Sequence, residues 1–308
     1  MDTRPLPVRH RLGRSALSRV AEAVARGLIV LSGWIAIGIL TAIAVFLLVN
    51  ALPALRQVGF WRMVSGTDWY PTSDPPAFGL LPAETGSLWV TGVAILLAVP
   101  IGVAAAVFIS EFTKGGWKDT AKSLIEFMAA VPSVVYGLLG IAILVTLVKD
   151  SLRLDTGLTA FTAGLVVAFM ALPTIISISE DALHAVPEDL RMGSLALGNT
   201  RWQTVYKVIV PSASSGIFAA VMLGLGRAIG ETMVVLMLAG NANVIASSPL
   251  QSVATLPARI AAEMGEAVQG GIHSSALFGM GLVLFTVTFL INLAADVVLD
   301  AQRKKWRR

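Results

Sequence analysis

Cysteine is absent from the 308-residue chain. Disulfides, thiolate metal sites and cysteine nucleophiles are therefore excluded together. Histidine is almost absent: His10, His184 and His273 are the whole complement. They sit in no His-Glu-x-x-His pattern and no Ser–His arrangement, so neither a metal site nor catalytic residues are expected. Gly-x-x-x-x-Gly-Lys-Ser/Thr is missing as well, so the chain has no loop to cradle ATP phosphates, and no cofactor is implied. Lipid attachment has no motif without cysteine or a leading Met-Gly. Charge is scarce: 14% of residues are Asp, Glu, Lys or Arg, against about 25% in soluble domains.

What is present is apolar. The apolar fraction is 56% and the mean hydropathy +0.78, a composition that reads as a polytopic, all-α membrane protein. Six apolar runs stand out, at about 28–52, 86–109, 123–148, 157–178, 213–239 and 276–299. An even number of spans leaves both termini on one side. Seventeen of the 23 Lys and Arg residues fall on that side, in the basic segment 1–27, in two loops (Lys114, Lys118, Lys122; Arg191, Arg201, Lys207) and in the tail 300–308. Five fall opposite: Arg56, Arg62, Lys149, Arg153 and Arg259. This asymmetry predicts cytoplasmic termini, and it explains the net charge of +4 by location, with no nucleic-acid partner. The first apolar run is about 25 residues, too long for a signal-peptide core of 7–15, and reads as a retained signal-anchor.

The predicted external loop 53–85 is rich in Trp, Pro and Gly. Trp61, Trp69, Tyr70 and nearby Trp89 read as an interfacial aromatic anchor, and Pro71, Pro75 and Pro76 argue against a long helix. The external loop 240–275 carries apolar positions at helical spacing in SVATLPARIAAEMGEAV, which predicts a short amphipathic helix. Spans three and four contain VPSVVYGLLG and ALPTIISISEDAL. Gly137 and Gly140 suit close helix packing, while Ser133, Tyr136 and Thr174 are weaker candidates to line a path. Glu111, Glu126 and Glu180 fall near span ends, where solvated or interface roles are the default expectation.

The run Ile217–Leu238, IFAAVMLGLGRAIGETMVVLML, holds Arg227, Glu231 and Thr232 in an otherwise apolar stretch. As a continuous helix it would be about 33 Å long, with Arg227 near its middle. A charge there costs roughly 3 kcal/mol to insert and marks a pathway or gate by default. Four residues apart, Arg227 and Glu231 would share a face and could pair.

The cytoplasmic loop 180–212 has apolar residues at helix-like spacing and a Gly198–Asn199 turn, a pattern suited to two short helices that dock into a partner's groove. Its segment LALGNTRWQTVYKVIVP places Gly198, Val208, Val210 and Pro211 at the spacing of the coupling loop of ABC importer permeases, which it resembles. The Glu-Ala-Ala that leads that loop in the family is replaced by Met192, Gly193 and Ser194, with Glu188 or Asp189 as candidate substitutes. AVPIGVAAAVFISEF, LPTIISISEDALHAVPEDLR, GLGRAIGETM and IAAEMGEA extend the resemblance to the phosphate-specific branch, and Met233-Val234 after the Arg-Ala-x-Gly-Glu-Thr motif favours its PstC type over the sister PstA type.

That resemblance implies a type I (MetI-like) permease fold with six transmembrane helices in the bacterial inner membrane. It implies a function as half of the pathway of an ATP-driven importer of inorganic phosphate or a similar oxyanion, by alternating access. The implied partners are a PstA-type permease, two cytosolic ATPase subunits that hydrolyse the ATP, an external phosphate-binding protein and membrane lipid. The coupling residues it points to are Glu188, Asp189, Arg191, Leu195, Ala196, Gly198, Thr200 and Pro211. An ion-coupled secondary transporter is the competing class, against which stand the single intramembrane charged pair and the lack of an inverted repeat.

Overall fold

The computed structural model describes residues 16–306. Arg4, Arg9, His10, Arg11, Arg14, Arg307 and Arg308 lie outside the described residues, so most of the basic segment 1–27 does too. The described residues divide into two compact units between Val49 and Asn50. The described part of the first is helical and belongs to α1 (Ala16–Gln57), whose candidate span runs from Val24.

In the second unit, α2 (Phe60–Val64) leads into a small hairpin, β1 (Trp69–Tyr70) and β2 (Ala77–Phe78), antiparallel with Trp69 opposite Phe78. The prolines do exclude a long helix here. α3 (Leu81–Val107) continues through a π-helical turn, Phe108–Phe112. α4 (Gly116–Ala130), α5 (Ser133–Leu139), a π-helical turn and α6 (Thr146–Leu152) follow. α7 (Ala160–His184) is continuous. α8 (Glu188–Ala196), α9 (Arg201–Thr204), a third π-helical turn and α10 (Val210–Ser212) lead into α11 (Ser214–Ile229). α12 (Met233–Leu238), α13 (Leu256–Glu263) and α14 (Ile272–Trp306) complete the chain. Five helical stretches among the described residues are long and apolar enough to cross a membrane, and a sixth candidate is the pair Arg201–Ser212 and Ser214–Ile229, bent by 68°.

Two expected spans are redrawn. The third, expected at 123–148, lies at Ser133–Leu152. Pro132 disfavours helix at Val131, which is extended (φ −68°, ψ 127°), so the preceding residues become a separate helix, α4. The fifth, expected as one helix over 213–239, is broken at 230–232 between α11 and α12. The Thr232 hydroxyl donates to the carbonyl of Gly230 (3.2 Å) and the Glu231 carboxylate accepts the Val234 N–H (3.2 Å), so side chains serve the backbone groups that the break frees.

The core is a seam of small residues. α7 runs between α3 and α11, and Ala94, Ala98 and Ala171 are fully buried along it. Ile175 is wedged between two glycines: a Cβ at Gly102 would stand 2.8 Å from its Cγ2, and one at Gly224 2.6 Å from its Cγ1. α5 meets α12 the same way, with Gly137 against Met237 and Gly140 against Leu238, so the expected packing role of these glycines holds. Small residues suit membrane helices, whose association depends on close packing because lipid supplies no hydrophobic drive. On the other side of the bundle from α8, the hairpin packs on α13 and α14 through Trp69, Phe78, Leu256, Leu277 and Met280. Trp69 is 2% exposed and donates its indole N–H to Glu263 (2.9 Å), so it is a core residue and not part of an interfacial anchor. Arg259 (3.0 Å) and His273 (2.9 Å) meet the same carboxylate, which ties the expected amphipathic helix, α13, to hairpin and α14.

Gly224→Val should force Ile175 off its seat and cost about 1–3 kcal/mol. A fall in the melting temperature of the detergent-purified protein measures it, with Gly226→Ala, where no atom lies within 4 Å of an added Cβ, as the matched control.

Candidate translocation and coupling sites

Arg227 occupies the last turn of α11, not the middle of a long helix. A cation there faces the partial negative charge of the helix C-terminus, which lowers the cost of holding it in a span. Its Nη1 lies 3.5 Å from the Thr174 hydroxyl on α7, and no carboxylate pairs with it among the described residues. The expected Arg227–Glu231 pair does not form, because the break turns residue 231 off the α11 face. Thr232, as described, is turned to the backbone of that break. Tyr136 donates to the carbonyl of Met128 (2.9 Å) and packs on the core, bracing α5 against α4. Ser133 sits at the start of α5, half-buried, and makes no hydrogen bond with Arg227.

Thr174 is not alone on its face. Ser177 and Asp181 follow at i+3 and i+7, both exposed, so one side of α7 is polar from the Arg227 contact toward its C-terminal end. The spacing was present in LPTIISISEDAL, but the proline and the apolar residues between drew the reading to packing. Glu84 is a second intramembrane carboxylate that the sequence reading passed over. It lies in the first turn of α3, at the edge of a groove of about 560 Å³ lined by Leu88, Leu225 and Ile229, and its buried Oε1 has no hydrogen-bond partner among the described residues.

At the other end of α7, segment 180–212 contains the expected two short helices around a glycine turn. Gly198 has φ +84°, the left-handed region that glycine adopts without Cβ penalty, and Asn199 N–H bonds back to the Ser194 carbonyl (3.3 Å). Thr200 caps α9 in a reciprocal box with Gln203 (3.3 and 2.9 Å). Beneath the turn, the Ser194 and Thr204 hydroxyls meet at 3.0 Å. Glu188, Asp189, Leu195 and Ala196 are exposed, and Pro211 lies within α10, just before α11.

Arg191 points inward instead. It pairs with Glu111 at the end of α3, donates to the Leu183 carbonyl at the end of α7 (2.9 Å) and lies 3.4 Å from Glu188. Arg201 donates to the Glu111 carbonyl (3.1 Å). Glu180, 2% exposed, accepts Lys118 (2.8 Å) and Lys122 (2.6 Å) from α4. Glu111 and Glu180 are thus buried ionic anchors and not solvated span ends. Their lysine and arginine partners are far away in sequence, so nothing local signals the pairing. The bond from Glu180 holds the Lys122 ammonium above its ordinary pKa of 10.5, so this contribution is complete at neutral pH and is lost only as pH rises beyond that value.

Residues 98–308 match the family of binding-protein-dependent transport system inner membrane components. The chain belongs to that family. It is 38% identical over 302 residues to the probable ABC transporter permease protein YqgH of Bacillus subtilis, covering 97% of each chain. It is 32% identical to the phosphate transport system permease protein PstC of Haemophilus influenzae, covering 86% of this chain and 91% of that one. Among solved structures it resembles a subunit of a bacterial alginate ABC transporter (TM-score 0.61, 14% identity, 90% of this chain and 96% of that one) and one of the inward-facing MetNI methionine ABC transporter (TM-score 0.57, 21% identity, 72% and 95%). The fold is accordingly that of a type I ABC importer permease, and the chain is a multi-pass inner-membrane component.

Breaking the Arg191–Glu111 pair leaves a mostly buried cation without its main partner. Glu111→Gln should cost on the order of 3–5 kcal/mol, and the exchanged pair Glu111→Arg with Arg191→Glu should regain part of it. Thermal denaturation of the two variants beside the unaltered protein measures both, and non-recovery in the exchange would show that the pair is not what anchors α8.

Proposed function

We propose that this permease is one of two homologous membrane subunits of an ATP-driven importer of inorganic phosphate, and that Arg227 meets the anion in transit. The observation that carries the reading is an intramembrane guanidinium, free of any carboxylate among the described residues, beside a hydroxyl on the polar face of α7. A guanidinium presents a planar fork of donors that suits phosphate oxygens, and Thr174 and Ser177 add neutral donors that do not hold the ion too tightly to release. The phosphate transport names of several relatives support the choice of anion. Glu231, whose carboxylate is occupied at the α12 start, sets the break and leaves the charge of Arg227 available. Ser133 and Tyr136 act as packing residues beside this path.

Energy reaches the path from ATPase partners through α8, α9 and the Gly198 turn, with Glu188 and Asp189 standing in for the family's missing glutamate. Both termini and this segment face the cytoplasm, and the hairpin with α13 faces an external binding protein. Motion at α8 passes to α7 and α3 through Arg191, and alternating access follows from the tilt of α11.

Arg227→Gln in the assembled transporter should lower phosphate uptake at least about tenfold, the loss of one charge-assisted hydrogen bond, while Arg227→Lys retains part of it. Uptake at the wild-type rate by an assembled Arg227→Gln transporter would refute the pathway role. Uptake that follows an ion gradient and ignores ATP would refute the importer class instead. Gly198→Leu, forced into the left-handed region, should leave the membrane bundle folded but separate ATP hydrolysis from uptake. The ratio of phosphate moved to ATP consumed reads this out, and an unchanged ratio would sink the docking role of the turn.

A further inference from the structure

A groove at the α8 end of the bundle is used by none of these roles. It lies between the end of α3 and the start of α4, has a volume of about 480 Å³, and is lined by Ala105, Phe108, Phe112, Lys114, Trp117 and Ala121 among others. We propose that it binds an anionic phospholipid, with an acyl chain in the groove and the phosphodiester at Lys114 and Arg201.

Three independent observations point to that occupant. The first is depth. The candidate span containing α3 ends at Phe112, so the groove straddles the level where acyl chains give way to headgroups. The second is the character of α4. None of its residues is fully buried, and Trp117 (80% exposed), Leu124 and Phe127 share one face while Lys118 and Lys122 on another reach Glu180. A helix that is anchored by its cations and presents Trp, Leu and Phe outward is built to lie in a membrane interface. The third is charge. Phe108, Phe112, Trp202 and Tyr206 form a continuous row with centroids 6.5, 6.2 and 6.0 Å apart. Arg201 stands 6.0 Å over Phe112, and Lys207 5.6 Å over Tyr206. Lys114 has no carboxylate partner among the described residues, and the two acids lining the nearby cleft, Glu111 and Glu188, both meet Arg191. Asp119 is the exposed acid on the first turn of α4. The side chains bordering the groove therefore leave an excess of cations over an apolar slot, the complement of a phosphodiester on acyl chains. The cation–aromatic contacts orient the charges without neutralising them.

The inference holds whatever solute the transporter carries. It also sets Arg201 at a junction: one side chain touches the lipid, the α9 start and the Glu111 carbonyl.

The full-length chain, reconstituted in phosphatidylcholine vesicles, tests it through Trp117 fluorescence. Brominated phosphatidylglycerol or brominated phosphatidylcholine is added at equal mole fraction, and the Trp117 signal is isolated by difference from Trp117→Phe. Each cation near the surface is worth roughly a fivefold preference for an anionic lipid. The expected result is an association constant for brominated phosphatidylglycerol at least about tenfold above that for brominated phosphatidylcholine. Lys114→Gln, at an exposed side chain with no ion pair among the described residues, should leave the fold intact and remove part of that preference, and Lys114→Gln with Arg201→Gln nearly all of it. Equal quenching by the two lipids, a preference that survives the double substitution, or no quenching by either (the groove then being covered by protein) would each overturn the proposal.

Discussion

Ile175 has a glycine on either side, and the rest of the bundle is arranged around that contact. Its side chain fills the space that a Cβ at Gly102 or Gly224 would take, so α3, α7 and α11 approach as closely as backbones allow. In a bilayer this is where packing energy comes from, because lipid offers no hydrophobic reward for association. The same register turns the neighbouring residue, Thr174, toward Arg227 on α11. The position of the candidate anion contact is thus a consequence of how one branched side chain fits between two small ones.

The end of the bundle that carries α8 is held by a different force. There the helices are joined by buried ion pairs: Glu180 with two lysines of α4, and Glu111 with Arg191 of α8. Such pairs add little net stability over apolar packing but are costly to break one partner at a time. They tie α4, α8 and the ends of α3 and α7 to one another. Met192, which stands where the resemblance places an acidic residue, is exposed. The arginine one residue earlier ties the segment to its own helices, so its fold does not depend on an acid at position 192.

Much of this was legible in the order of residues. Apolar runs longer than a bilayer is thick are hard to mistake, and Gly198 announced its turn because the left-handed region excludes most other residues. What escaped were features that depend on side chains meeting across the fold. Trp69 looked like an interfacial tryptophan because composition carries no information about Glu263, 194 residues away, which accepts its N–H. Glu111 and Glu180 looked solvated for the same reason. The third span was drawn ten residues early because Phe127 and Leu124 continue the apolar character of the helix that follows, while the constraint of Pro132 on Val131 is a single local signal inside a long run. The polar row Thr174, Ser177, Asp181 had the correct period but was diluted by isoleucines that belong to the opposite face.

The break at Gly230 changes what Arg227 and Glu231 mean. In a continuous helix they would neutralise each other, and a buried lock of fixed geometry would be the economical reading. In the folded chain the carboxylate of Glu231 is spent on the Val234 N–H at the start of α12, and Arg227 ends α11 with the Thr174 hydroxyl, and no carboxylate among the described residues, beside it. A lone guanidinium in a span is not a low-energy ornament: its insertion cost is of the order of 3 kcal/mol or more, and the dipole of the last turn of α11 returns only a part, about 0.3–1 kcal/mol. The remainder must be met by something that stands against the exposed side chain, whether water, a facing subunit or an anion. A permanent carboxylate from a facing subunit would neutralise it and remove the reason for an open polar row on α7. A transient anion would not, and the hydroxyls of Thr174 and Ser177 stand on the face along which the proposed anion would pass.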